Sequence, residues 1–99
     1  MRDLNSLIIE GIASEYDSGK FTLLHTQICK EKDGQYKEYT MSFSVFVFSE
    51  RLQELLKEAF KQNQAIRLRI VGGIIVFEGT TAICANHIEF FRCPEKVVD

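Results

Sequence analysis

Apolar and polar positions along the chain alternate in blocks separated by turn-forming residues. Residues 4–11 (LNSLIIEG) are apolar and β-branched, close on Gly11, and predict a first strand. Glu15-Tyr16-Asp17-Ser18-Gly19-Lys20 is turn material, with Gly19 free to adopt positive φ. A second β-prone run, FTLLHTQI, fills residues 21–28. The Lys30–Gln35 stretch then carries an Asp33-Gly34 pair, a strong hairpin signal. From Tyr39 to Phe48 the odd positions (Tyr39, Met41, Phe43, Val45, Val47) are all apolar, whereas the even ones open with Thr40, Ser42 and Ser44. Side chains alternate across a strand, so the odd set is expected on a buried face and the even set on the other. Phe46 and Phe48 break the alternation by placing two aromatics on the polar face, whose far end must therefore be covered by something.

Ser49 is the expected N-cap of a helix over residues 50–62, and Glu50 adds negative charge to its first turn. Leu52, Leu55, Leu56, Ala59 and Phe60 form one apolar stripe, suited to plugging a sheet or barrel. A fourth strand over 65–76 alternates Arg67 and Arg69 with Ile66, Leu68 and Ile70, and Gly72-Gly73 inside it predicts a bulge or sharp bend. A turn at Glu78-Gly79-Thr80 leads to a fifth strand over 81–91. The order β-β-β-α-β-β describes an all-β domain with one helix. It fits the OB-fold, a five-stranded, partly open Greek-key barrel, over residues 1–92, with 93–99 as a short C-terminal tail.

Composition narrows the class. A chain of 99 residues, 45% hydrophobic and 26% charged, has room for one core and is too apolar for a disordered segment. No apolar run is long enough to span a membrane, and MRDLNSLIIE lacks the pattern of a secretory signal. Three cysteines cannot all pair, and reduced thiols in a cytoplasmic protein are expected. Lys and Arg number 12 against 14 Asp and Glu, a net charge of −2. Any grip on a polyanion must therefore come from local placement of charge, because the total is unfavourable.

The same segments resemble a known family. LNSLIIEG at 4–11 looks like the opening strand of bacterial single-stranded DNA-binding proteins, and FTLLHT at 21–26 resembles their second strand. FSVFVFSERLQELLKEAFKQNQ at 43–64 resembles their third strand and following helix, and IRLRIVGG at 66–73 and ANHIEFF at 85–91 their last two strands. The similarity covers residues 4–91 in the expected order. It implies sequence-nonspecific binding of single-stranded DNA in replication, repair or recombination. It also implies a homo-oligomer (dimer or tetramer), replication proteins among the partners, and a cytoplasmic, nucleoid-associated location. Departures accompany it. Ile28 and Cys29 occupy the region of the family's second-strand aromatic, and Ser42 stands where a third-strand tryptophan is common. Phe48 keeps the aromatic at that strand's end. The fourth-to-fifth hairpin, long and basic in the family, is reduced to Ile75–Thr80.

Single-strand binders combine a positive groove with rings on which bases stack. Candidate rings are Tyr36, Phe46, Phe48 and Phe77. Candidate backbone contacts are Lys20, Lys30, Lys32, Lys37, Arg67 and Arg69, with Ser42 and Ser44 on the same strand face. A competing reading is a degenerate barrel that binds protein and has little or no DNA affinity, motivated by the net charge and the missing tryptophans. No cofactor or enzymatic activity is expected. His25, Cys29, Cys84, His87 and Cys93 lack the tight paired spacing of a zinc site. Two histidines on different strands make no nucleophile–base pair. Gly19-Lys20 fails as a phosphate loop because Ser14 and Phe21 occupy its glycine and hydroxyl positions.

Overall fold

The computed structural model describes residues 4–91. Its elements are β1 (Leu7–Asp17), β2 (Lys20–Lys30), β3 (Tyr36–Phe46), α1 (Glu50–Gln62), β4 (Ala65–Phe77) and β5 (Thr80–Phe90), in the order expected. The boundary at 92–93 and the tail beyond it lie outside the described residues. The strands close into a barrel ordered β1-β2-β3-β5-β4. Closure depends on a short parallel seam, Val45 opposite Ile83 and Phe46 opposite Cys84. The other pairs are antiparallel.

Two tight turns frame the fold. Ser18-Gly19 and Glu78-Gly79 each reverse the chain in two residues, at φ of 51°, 86°, 52° and 78°. Positive φ at both central residues matches the twist of the flanking strands. The long turn expected at 15–20 therefore shrinks, and Glu15–Asp17 join β1 across a bulge between Ser14 and Asp17. Pairing with β2 and β4, rather than hydrophobicity alone, sets the ends of β1. A register shift appears where the paired glycines placed an irregularity, between Val71 and Gly72, and its extra residue, Asn86, is on the partner strand β5. A Cβ on Gly72 would strike the Cys84 carbonyl, and one on Gly11 the Leu24 carbonyl, so both crossings need glycine.

Helix α1 begins as expected: the Leu52 N–H donates to Ser49 Oγ at 3.3 Å. Leu52 and Leu56 enter the core with Phe21, Leu23, Val45, Val47, Leu68, Ile70, Ile83 and Ile88, which makes α1 the plug of the barrel. Leu55, at the shoulder of the stripe, faces solvent instead. Phe60 stacks on Tyr16 (5.6 Å, 9° between planes), whose hydroxyl donates to the Gln53 carbonyl at 3.3 Å.

Along β3 the expected alternation holds at one end only. Val45 and Val47 are buried and Phe43 half-buried, but Tyr39 and Met41 remain 41% and 37% exposed. The β2–β3 hairpin outruns the barrel. Pairing of β1 with β2 is confined to Ile12–Asp17, and β5 reaches β3 only at Val45 and Phe46, so no strand flanks the hairpin's outer half. The strand expected at 39–48 also shifts to 36–46, which leaves Phe48 in the connection to α1.

Candidate nucleic-acid interface

The β2–β3 register builds a continuous wall. Lys20 lies opposite Phe46, Thr22 opposite Ser44, Leu24 opposite Ser42, Thr26 opposite Thr40, Ile28 opposite Glu38 and Lys30 opposite Tyr36. Strand alternation puts this whole set on one face. Lys20 Nζ sits 5.6 Å from the Phe46 ring centroid, and Lys30 Nζ sits 6.0 Å from that of Tyr36. The Thr26 and Thr40 hydroxyls bond at 2.9 Å between them. Lys20 is held in place through Gly19: the Val47 N–H donates to the Gly19 carbonyl at 2.8 Å, and Gln53 Nε2 donates to the Val47 carbonyl at 2.7 Å. The β1–β2 turn is thereby seated on the junction of β3 and α1.

Three rings gather at that end. Phe46 stacks with Phe48 (6.3 Å, 8°) and tilts against Phe77 (4.6 Å, 36°). Phe46 is half-buried, while Phe48 is 61% exposed, so the cluster is not sealed in the interior. Beside it opens a cleft of about 300 Å³ lined by Lys20, Ser44, Phe46, Phe77, Glu78, Thr80 and Ala82. The sequence pattern did not single out Glu78, Thr80 or Ala82 for the site. Glu78 and Thr80 stood in the turn expected after Phe77; Ala82 reaches the cleft through the β4–β5 pairing.

The remaining candidates lie apart. Lys32 is exposed in the β2–β3 loop, Lys37 points to the opposite face of β3 from Tyr36, Ser42 is exposed and Ser44 half-buried. Arg67 and Arg69 stand on a different wall, opposite Ile12 and Glu10 of β1. Arg69 Nη2 contacts Glu10 Oε2 at 2.7 Å, its Nη1 contacts Glu89 Oε1 at 3.3 Å, and its guanidinium covers the Phe91 ring at 5.4 Å. The hydrogen bond to Glu10, reinforced by the charges of Glu10 and Glu89, holds its proton even more tightly than usual. His25 Nδ1 donates to the Glu10 carbonyl at 2.7 Å. Among the described residues no three His, Cys, Asp or Glu side chains gather to hold a metal; Cys93 lies outside them. No described helix is long and apolar enough to cross a membrane.

No protein-family model and no curated protein matches the chain. Solved structures do. A Plasmodium falciparum SSB in complex with single-stranded DNA superposes with a TM-score of 0.77 at 12% identity, covering 93% of this chain and 98% of that one. The protein PriB of Ralstonia solanacearum gives 0.72 at 11% identity, covering 91% and 100%. A small single-stranded DNA-binding protein of Mycoplasma pneumoniae gives 0.58 at 19% identity, covering 91% and 94%. At such identities the likeness is one of fold. This chain has the five-stranded barrel of its single-stranded-DNA-binding neighbours, with the helix in the same place between the third and fourth strands.

Proposed function

We propose that this protein binds single-stranded DNA without a fixed sequence requirement, by stacking bases on Phe46, Phe48 and Phe77 and holding phosphates with Lys20. The observation that carries the reading is the open ring cluster with an ammonium seated over one ring. Aromatic faces take any base, and an adjacent cation takes the backbone. The hydroxyl strip of Thr22, Ser42, Ser44 and Thr40 continues the path toward a second ring–cation pair, Tyr36 with Lys30; Lys32 adds charge at the tip, and Lys37 adds it from the other face of β3. Arg67 and Arg69 belong to the same proposal only for a longer strand that reaches the other wall, where Arg69 is already shared by two carboxylates. Function is reversible occupancy: an exposed strand is covered during replication, repair or recombination in the cytoplasm, with no bond made or broken. A second copy is proposed to pair along Leu7–Ile9 of β1, a stretch that β2 leaves unpaired and where Ile8 is 68% exposed.

The charge pattern favours one competing reading, a barrel that binds protein. Glu78 lines the cleft, and Arg69 is neutralised. Fluorescence anisotropy with labelled oligo-dT at two salt concentrations separates the two. Binding that weakens as salt rises supports the DNA reading; no binding at about 10 μM protein in low salt supports the other.

A further inference from the structure

The cleft beside the rings is not lined like a phosphate site. Its lining residues include one that carries a cation, Lys20, and one that carries a carboxylate, Glu78, together with Ser44, Thr80, Ala82, Phe46 and Phe77. Neither charged group is in an ion pair with another described residue. Glu78 stands at the rim of the cleft. It occupies a two-residue turn at φ 52°, between Phe77 and Thr80, which pair directly across the hairpin, so its backbone is set there while its exposed side chain is free to reach the cleft. A carboxylate at that rim repels a phosphate. It accepts hydrogen bonds and cannot donate one, whereas hydroxyls adapt to either partner. At about 300 Å³ the cleft stands at the small end of ligand pockets, the scale of a single planar group.

We propose that this cleft discriminates among bases, holding cytosine in preference to thymine or uracil. Cytosine presents its N4 amino donor where thymine and uracil present the O4 acceptor, so Glu78 attracts the first edge and repels the second. The ring faces supply stacking common to all bases, and Lys20 faces the base carbonyl or the neighbouring phosphate. The inference rests on the single-strand reading above and adds a preference to it. A contact of this kind on a half-open site gives discrimination of about fivefold, the low end for base-edge recognition.

The test compares oligo-dC and oligo-dT of roughly eight nucleotides, within the range one such barrel covers. Affinities are measured at slightly alkaline pH, where cytosine runs stay unfolded, for the wild type, Glu78→Gln and Glu78→Gly. The carboxamide accepts or donates by rotating, and glycine suits the positive φ of the turn, so both variants retain the hairpin and lose the acceptor-only carboxylate. The expected result is oligo-dC bound about fivefold tighter by the wild type, with the ratio falling to about one in both variants. Equal binding of the two oligomers by the wild type, or a ratio unchanged in the variants, overturns the preference while leaving single-strand binding standing. Binding of neither oligomer by any form overturns the single-strand reading, and the preference with it.

Discussion

Phe48 is the ring most open to solvent in the cluster, and it packs on Phe46 without entering the core. Phe48→Ala should therefore leave the melting temperature nearly unchanged. It should weaken oligonucleotide binding by the worth of one stacked base, about 1–3 kcal/mol, or about 5- to 150-fold. Lys20 and Arg69 offer a matched comparison of cations. Lys20 covers a ring beside the cleft, whereas Arg69 is held by Glu10 and Glu89, so in an anisotropy titration Lys20→Ala should cost more affinity than Arg69→Ala. A third residue reports on the hairpin. Tyr39 donates to Glu31 Oε2 at 2.8 Å, and that hydrogen bond is the main cause that raises its phenol above the usual tyrosine value. A raised folded value means the contact is intact below the ordinary tyrosine range and is lost as pH rises through the folded one. In an NMR titration Glu31→Ala should lower the Tyr39 midpoint; an unchanged midpoint would place the cause elsewhere.

At the scale of elements, the helix and the bend were the most legible parts of the chain. Ser49, Glu50 and the Leu52/Leu56 stripe mark a helix whose start is set by local capping, and its observed span is the expected one. Ser49→Ala should cost about 1 kcal/mol, read as a fall of about 4–8 °C in melting temperature. Gly72-Gly73 marked the register shift in the same local way, although its extra residue, Asn86, is on β5. Gly72→Ala drives a methyl group into the Cys84 carbonyl and should destabilise by about 1–3 kcal/mol or more in urea unfolding. Strand ends were less legible because they are fixed by partners. Tyr39 and Met41 follow the buried pattern as faithfully as Val45 does, yet only Val45 has β5 beside it. The cleft was least legible of all. Thr80 and Ala82 are polar and apolar positions like many others until the β4–β5 pairing sets them beside Phe46.

For the whole molecule, the balance of charge sets the character of binding. A chain of net charge −2, with four lysines on or near the β2–β3 hairpin, releases few counterions when it meets a strand. For a short strand on this wall the slope of log affinity against log salt should thus be shallow, no steeper than about −3, since each phosphate contact on a single strand contributes about −0.7. A markedly steeper slope would require cations beyond these. Stacking then carries most of the affinity, and the ring cluster must touch the bases themselves. Titration of the protein with a short single-stranded oligonucleotide, followed through the aromatic-ring signals in NMR, observes that contact directly. The ring protons of Phe46, Phe48 and Phe77 should move together as the strand is added, while those of Phe91, under Arg69 on the other wall, stay in place. Rings at the cleft that do not move, or shifts confined to the β1–β4–β5 wall, would contradict the proposed role of this surface.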